Sequence, residues 1–439
     1  MTPFPLLVIL AGGASSRMWP LREKSLLRFG TEPLLVSQLQ RYRALGFQRL
    51  IIVANPENYA DIQALVLPLQ TTLRAEVVLQ AEPKGMGDAL LQIAPLIADN
   101  PHQPIYVNQV HDVVDETLHQ TMLQAHQANP TESYLAGYEI EAYFPGGYLK
   151  TDLDRRIVGI VEKPGAANKP SNLVNIVAHI HADAGRLLDA IRAEYAQPIP
   201  TDDHYERAMD VLMKQTVYRV MPYQGHWSAL KFPWHVLDIM NFYLSKIEGQ
   251  VVAENAYIAP NAALVGNVYI GPGARVFPGA AVVGPAYIGA GTIVGNNSLV
   301  RQSMVLNHVE VGFTTEIARS YVADNCALHA CRVLDSVFAD GVNFSAGCTT
   351  ANLRIDRGDV PTIVKGQRIH TGRNKFGAVI GRGAFLGVDV MTMPGVKIGE
   401  QAQIGPGTHV RHDVQNRQRV YVKQDLVIED LTEITDDAH

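Results

Sequence analysis

From Ile258 onward an aliphatic residue recurs every six positions: Ile258, Leu264, Ile270, Val276, Val282, Ile288, Val294 and Val300. Gly, Pro, Asn and Ala fill much of the space between them. A second run reads Ile380, Leu386, Ile398, Ile404 and Val410, with Thr392 at the intervening beat. A period of six matches neither the α-helix nor the two-sided strand. It is the mark of a solenoid. Six residues make one flat side and one turn, so three units close a triangular coil. The aliphatic residue points inward and stacks on its copies above and below. The repeat therefore predicts a parallel β-helix beginning near Val251. Between the two runs the beat breaks. Residues 349–373 include Asp356-Arg-Gly-Asp-Val-Pro361, which reads as a loop leaving the coil. Such insertions tend to lie on one face of a solenoid and to build its site.

The first half has a different character. Residues 6–10, 50–54, 76–80 and 105–108 are strand candidates, and 33–45 and 87–97 are helical. Strands separated by helices predict an α/β domain with a mainly parallel, Rossmann-like sheet. Ligands of such sheets bind past the carboxyl ends of the strands. The first strand runs there into Ala11-Gly-Gly-Ala-Ser-Ser-Arg17, with Lys24 seven positions on. Gly12, Gly13 and Ala14 lack bulk, so backbone N–H groups can close on an anion. Arg17 and Lys24 add two positive charges. The spacing is neither the P-loop nor the dinucleotide glycine pattern. Two glycines after a strand are equally a tight turn; with the basic residues they suggest a triphosphate cradle.

A chain of 439 residues with 47% hydrophobic content has room for two or three domain cores. Its formal charge of −6 argues against a nucleic-acid partner. The three cysteines, Cys326, Cys331 and Cys348, have no metal-ligand spacing and read as small core residues. No basic leader precedes residue 10, and no apolar run approaches about 20 residues, so a cytoplasmic protein without membrane contact is expected. The expected division is an α/β domain over 1–248, a coil over 249–425 and an acidic tail over 426–439.

The opening loop resembles the signature loop of the sugar-1-phosphate nucleotidyltransferases. A Gly-Gly turn, Arg17-Met18, Pro20-Leu21 and Lys24 follow in that family's order, with the segment before the lysine shortened. Further motifs follow in order: Gln80-Ala-Glu-Pro-Lys-Gly85-Met-Gly87, then Asp112, then Glu162-Lys163-Pro164. Singly these read as a polar turn, a helix cap and an exposed turn; their order carries the resemblance. It implies that Ala11, Gly12, Gly13, Gln80, Gly85 and Gly87 hold the nucleotide. The Gln80 amide, with a donor and an acceptor, suits a uracil or thymine edge. Arg17 would neutralise the leaving pyrophosphate, Lys24 the α-phosphate, and Lys163 the sugar phosphate. Asp112 would bind Mg2+, and Gly147, Glu162 and Asn175 the sugar. Two departures stand out. The family's Trp-x-Asp, a second magnesium ligand, is here Trp227-Ser-Ala229, with Asp203 or Glu206 as candidate substitutes. Its Asn-x-Gly-x-Tyr is Asn175-Ile-Val177-Ala-His179.

The second half resembles the acetyltransferase domain of bifunctional N-acetylglucosamine-1-phosphate uridyltransferases, in the archaeal two-domain form. The matching stretches include Glu316-Ile-Ala-Arg-Ser, His329, the run from Asn343 to Arg354, and Thr371-Gly-Arg-Asn-Lys375. The resemblance implies a left-handed β-helix and a homotrimer, or a multiple of trimers. His329 would be the general base toward acetyl-CoA and an amino sugar phosphate. Asn352 and Lys375 would line that site. Arg332 stands where the family has a tyrosine, and a guanidinium there favours an anion over an ammonium. The implied function is synthesis of an NDP-sugar from UTP or dTTP and a hexose or N-acetylhexosamine 1-phosphate, with acetyl transfer as a candidate second activity. The alternatives are a sugar-nucleotide-binding regulatory protein and an acyltransferase with a scaffold N-terminal domain.

Overall fold

The computed structural model describes residues 4–428, apart from 14, 22, 142, 145 and 198–202. The acidic segment 429–439 and Ala14 of the glycine loop lie outside the described residues. Contacts divide the chain into two compact units, Met1–Glu248 and Gly249–His439.

The first unit begins with β1 (Leu6–Leu10), a small hairpin of β2 (Arg28–Phe29) and β3 (Glu32–Pro33), and α1 (Leu34–Ala44). Next come β4 (Arg49–Ala54), α2 (Tyr59–Val66), β5 (Arg74–Leu79), α3 (Met86–Leu91), β6 (Ile105–Gln109), β7 (Asp112–Val114) and α4 (Glu116–Ala128). Then follow β8 (Ser133–Glu139), β9 (Gly147–Thr151), β10 (Ile157–Glu162), β11 (Leu173–His181), α5 (Ala184–Tyr195) and α6 (His204–Met213). The unit closes with β12 (Tyr218–Tyr223), β13 (Trp227–Ala229) and α7 (His235–Leu244).

Strands β5, β4, β1 and β6 lie side by side in parallel. All five residues of β1 are buried, because helices cover both faces of the sheet. Leu7 and Ile9 pack with Leu35 of α1, Ile62 of α2 and Leu118 of α4. Leu6, Val8 and Leu10 pack with Leu90 of α3, Leu187 of α5 and Tyr205 of α6. Beyond β6 the sheet is mixed: β11 runs antiparallel to β6, β8 and β9, and β10 antiparallel to β9. The parallel half expected from the sequence is thus the half that carries the glycine loop. The other half departs from it because the turn between β9 and β10 is far too short for a parallel crossover.

The second unit is a left-handed β-helix of three parallel sheets with eight, nine and eight strands. Val252 pairs with Ile270 and Ile270 with Ile288, one coil apart each time. The inward residues form one continuous core. They run on past Val300 as Val305, Val311, Ile317, Val322, Leu328, Val333, Phe338 and Phe344. Some steps are now five residues instead of six, so the beat breaks first at shortened corners, before the loop leaves the coil. The exit follows Thr349–Thr350, and the chain returns at Val379–Ile380. The excursion folds as a hairpin of Pro361–Val364 with Gln367–His370. Cys326, Cys331 and Cys348 are buried and unpaired, as expected. Among the described residues no helix is long and apolar enough to cross a membrane.

Candidate active site

At the carboxyl end of β1 the backbone is pinned from the side. Asn58 Nδ2 donates to the Ala11 carbonyl at 2.9 Å and Asn55 Nδ2 to that of Gly12 at 3.3 Å. Gly13 faces open space. Gln80 lies just past β5, its N–H bonded to the Ala54 carbonyl. Its side-chain Nε2 donates to the Gly85 carbonyl at 3.0 Å and to the Asp88 carboxylate at 2.8 Å. Both partners are acceptors, so the nitrogen must face them. The Oε1 is therefore turned toward Gly12, 2.6 Å from where a Cβ would stand. The sequence suggested a donor and an acceptor for a base edge; the fold spends the donor internally and leaves the acceptor. Gly85 has φ +96°, a conformation that favours glycine. Gly87 makes room for α5: a Cβ there would meet the Tyr195 ring at 3.1 Å.

Lys24 opens a short 3-10 turn, Lys24–Leu26. Burial pulls its pKa down to about 8, against the attraction of Glu23 and Asp112. Arg17 is exposed, with its guanidinium 5.7 Å from the Phe232 ring centre. Asp112 begins β7, and its Oδ1 accepts from Trp227 Nε1 at 3.4 Å. Burial raises its pKa, while Lys231, Trp227 and Lys24 draw it back. β7 pairs antiparallel with β13, and the residue directly opposite Asp112 is Ala229.

Sequence reasoning missed Lys231. Burial lowers its pKa, and the charges of Asp112, Arg17, Glu162 and Lys163 all act on it. Its Nζ lies 4.7 Å from the Phe144 ring centre. With Ala229, Trp227, Phe144 and His235 it borders a cleft of about 550 Å³. The available signal was a lysine two positions past the missing carboxylate.

These residues do not fit a magnesium ion held by the protein. Asp112 faces a methyl group where a second carboxylate would stand. Among the described residues no three His, Cys, Asp or Glu side chains gather into a metal cluster. The candidate Glu206 lies on α6, where its charge bears on Tyr195 and Tyr205. The charges that bear on Asp112 are those of Lys231 and Lys24.

On the sugar side, Gly147 and Glu162 are direct partners across the β9–β10 hairpin. Glu162 Oε1 occupies the space above Gly147, 2.5 Å from a Cβ position there. Lys163 is exposed, with φ +44° and its N–H on the Gly146 carbonyl at 3.1 Å. Asn175 Oδ1 is held at 2.9 Å by Nε2 of His179, the residue at the family's tyrosine position. Burial keeps His179 neutral, with its pKa pushed down to about 3. Its Nδ1 therefore accepts from the Tyr205 hydroxyl at 2.8 Å. The Tyr205 oxygen accepts from His181 Nε2 at 2.8 Å, and His181 Nδ1 accepts from the Tyr218 hydroxyl at 3.1 Å. One directed chain of hydrogen bonds thus fixes Asn175 from inside the core. Val177 packs against the same core, which takes up its bulk.

In the second unit Arg319, Asp335 and Asn352 follow strands of the same sheet in successive coils, so they stack on one corner. Arg319 grips Asp335 in a two-point ion pair, both distances 2.6 Å, and Asn352 Nδ2 donates to the same carboxylate at 2.5 Å. Arg319, Asp335, Asp359, Arg373 and Lys375 border a cleft of about 560 Å³. Asp359 shapes its rim by accepting from the Arg373 N–H at 2.8 Å. His329 lies elsewhere. It is exposed on the preceding corner, its Nδ1 3.3 Å from a Cβ position on Gly312. Lys375 borders this cleft, Asn352 reaches it only through its bond to Asp335, and His329 lies one face away. Arg332 is exposed on the intervening strand, between Glu316 and Thr349 in register.

The fold is a nucleotidyl transferase domain followed by a hexapeptide β-helix. Residues 6–211 match the Nucleotidyl transferase family model, 264–356 the GMPPB C-terminal domain and 377–412 the bacterial transferase hexapeptide (six repeats). At full length the chain is similar to a bifunctional sugar-1-phosphate nucleotidylyltransferase/acetyltransferase of Sulfurisphaera tokodaii, 29% identical over 92% of this chain and 97% of the relative. It is similar also to the bifunctional protein GlmU of Methanococcus vannielii, 28% identical over 96% of this chain and 98% of the relative. GlmU of Methanocaldococcus jannaschii is 28% identical over 97% of this chain and 99% of its own. The two-domain architecture is GlmU-like.

Proposed function

We propose that this protein is a sugar-1-phosphate nucleotidyltransferase that takes UTP or dTTP. The observation that carries this reading is the orientation of Gln80. With Nε2 committed to Asp88 and Gly85, the side chain offers an acceptor above Gly12. Uracil and thymine present an N3–H donor to such a group, whereas cytosine presents an acceptor there. In the reaction a phosphate oxygen of the sugar-1-phosphate attacks the α-phosphorus. The bond to the β-phosphate breaks, and pyrophosphate leaves with the electron pair. Positioning and charge neutralisation carry such a step. In this reading Arg17 meets the leaving pyrophosphate, Lys24 the α-phosphate and Lys163 the attacking phosphate. Ala11, Gly13, Gly85 and Gly87 belong to the nucleotide side; Gly147, Glu162 and Asn175 belong to the sugar side. Magnesium enters as the counter-ion of the triphosphate.

The test is pyrophosphate release with magnesium, several sugar-1-phosphates and each of UTP, dTTP, CTP, ATP and GTP. Release is expected with UTP or dTTP and not with CTP, and Arg17→Ala should abolish it. Nucleotide binding without release under every condition would sink this reading in favour of a regulatory binding protein.

The cleft beside Lys375 favours a second activity, acetyl transfer from acetyl-CoA to an amino sugar phosphate. His329 would serve as base there. Because His329 and Asn352 stand on different corners of successive coils, this reading needs a homotrimer in which neighbouring copies complete the site. Thiol release from acetyl-CoA with glucosamine 1-phosphate should vanish in His329→Ala; equal rates in variant and parent would remove His329 from that role.

A further inference from the structure

We propose that Lys231 is a built-in cation of the nucleotidyl transfer site, standing in for the metal that a second carboxylate opposite Asp112 would have held. This deepens the proposed function and rests on it. Three observations converge. The β7–β13 register sets Ala229, not a carboxylate, against Asp112, so half of a two-oxygen metal site is missing. The chain then supplies an ammonium two residues further on, bordering the same cleft as Ala229 and Trp227, and Trp227 Nε1 is bonded to Asp112 Oδ1. Lastly, the charge of Lys231 reaches Asp112, Arg17, Glu162 and Lys163 together. These are the groups assigned to the metal, the leaving group, the sugar and the attacking phosphate. A cation at that point neutralises phosphate oxygens as a metal does, without needing two carboxylates to hold it.

The ammonium is tethered from the protein side. The Lys231 backbone N–H donates to the Ala229 carbonyl at 2.9 Å, and His235 Nδ1 donates to that same carbonyl at 2.6 Å, so the stem starts from a fixed point. The Phe144 face receives Nζ at 4.7 Å. A lysine held over an aromatic ring and near a carboxylate keeps its charge in a partly dry site. A lysine here also opposes metal entry: a divalent ion on Asp112 would have to sit beside a like charge.

The experiment titrates Mn2+ alone against the full-length protein, followed by electron paramagnetic resonance. The parent, Lys231→Met and the double variant Ala229→Asp with Lys231→Gly are compared, each checked for parental secondary structure and melting. The parent should bind Mn2+ at least about tenfold more weakly than the double variant, which gains one site. Pyrophosphate release should fall by about 100-fold in Lys231→Met and recover substantially in Lys231→Arg. Mn2+ binding by the parent as tight as by the double variant, or release by Lys231→Met within about threefold of parent, would overturn the proposal. Should the double variant fail to fold, parent against Lys231→Met still decides: removal of the ammonium should then tighten Mn2+, and an unchanged affinity overturns the proposal. The metal titration needs no turnover. Loss of the proposed reaction altogether would show as an inactive parent and leave that arm readable.

Discussion

The side-chain oxygen of Gln80 lies 2.6 Å from the point where a Cβ on Gly12 would stand. The neighbouring Gly13 meets nothing within 4 Å. The two glycines are therefore not equivalent. Gly12→Ala should push the Gln80 amide off its bonds to Asp88 and Gly85 and weaken UTP or dTTP binding by about tenfold, roughly one neutral hydrogen bond. Gly13→Ala leaves the Gln80 amide on its bonds but adds a methyl group to the open space proposed for the triphosphate, so it should weaken all nucleotides alike. Isothermal titration with each nucleotide separates the two.

Lys24 titrates near pH 8, and its function and its contribution to stability respond to pH with opposite signs. Below about 8 it carries the charge a triphosphate needs; above, the charge is lost. Nucleotide affinity should fall as pH rises through that value, and Lys24→Arg should move the fall beyond the alkaline end of the range. For stability, the unfolded lysine keeps its proton up to its ordinary 10.5, while the folded one releases it at about 8. The unfolded chain thus binds more protons in between, so this group adds stability as pH rises from 8 toward 10.5. Binding and urea unfolding measured over the same buffers should show the two opposed trends.

Tyr205 joins His179 to His181 within the core. Tyr205→Phe leaves two buried imidazole nitrogens without a partner, which should cost about 2–4 kcal/mol in urea unfolding. Asn175 loses its anchor at the same time. The KM for sugar phosphate should rise several-fold while that for the nucleotide changes little; equal effects on both would assign the chain to stability alone.

Thr392 occupies an inward beat of the coil, and among the described residues its hydroxyl has no hydrogen-bond partner. Thr392→Val keeps the shape and removes the unsatisfied group. It should raise the unfolding free energy of the second unit by about 1 kcal/mol, read as a higher urea midpoint at unchanged slope.

The coil was legible because its period is written in single residues, each buried for the same reason. Val305 to Phe344 escaped the count because removing one residue at a corner shifts the sequence phase while leaving the next inward position on the axis. The glycine loop and Gln80 were legible as motifs. Their division of labour was not, because the acceptor role of Gln80 depends on Asp88, eight residues away, taking the donor. Lys231 was invisible for a related reason. Nothing local marks it, and only the pairing of β13 with β7 brings it to Asp112. His329 and Asn352 read as one site along the chain, yet winding around a triangle puts them on different corners.

That winding has a consequence for how the second unit can change. A side chain's address there is a corner and a storey, not a position in the sequence. Trimming a corner by one residue, as happens after Val300, leaves both coordinates intact for everything above it. The excursion between Thr350 and Val379 does the same on a larger scale, departing from one storey and rejoining on the next. New loops can therefore be grafted at such a landing without rotating the residues already installed on other landings, so the rim of the Lys375 cleft can be rebuilt while Arg319 and Asp335 stay where they are.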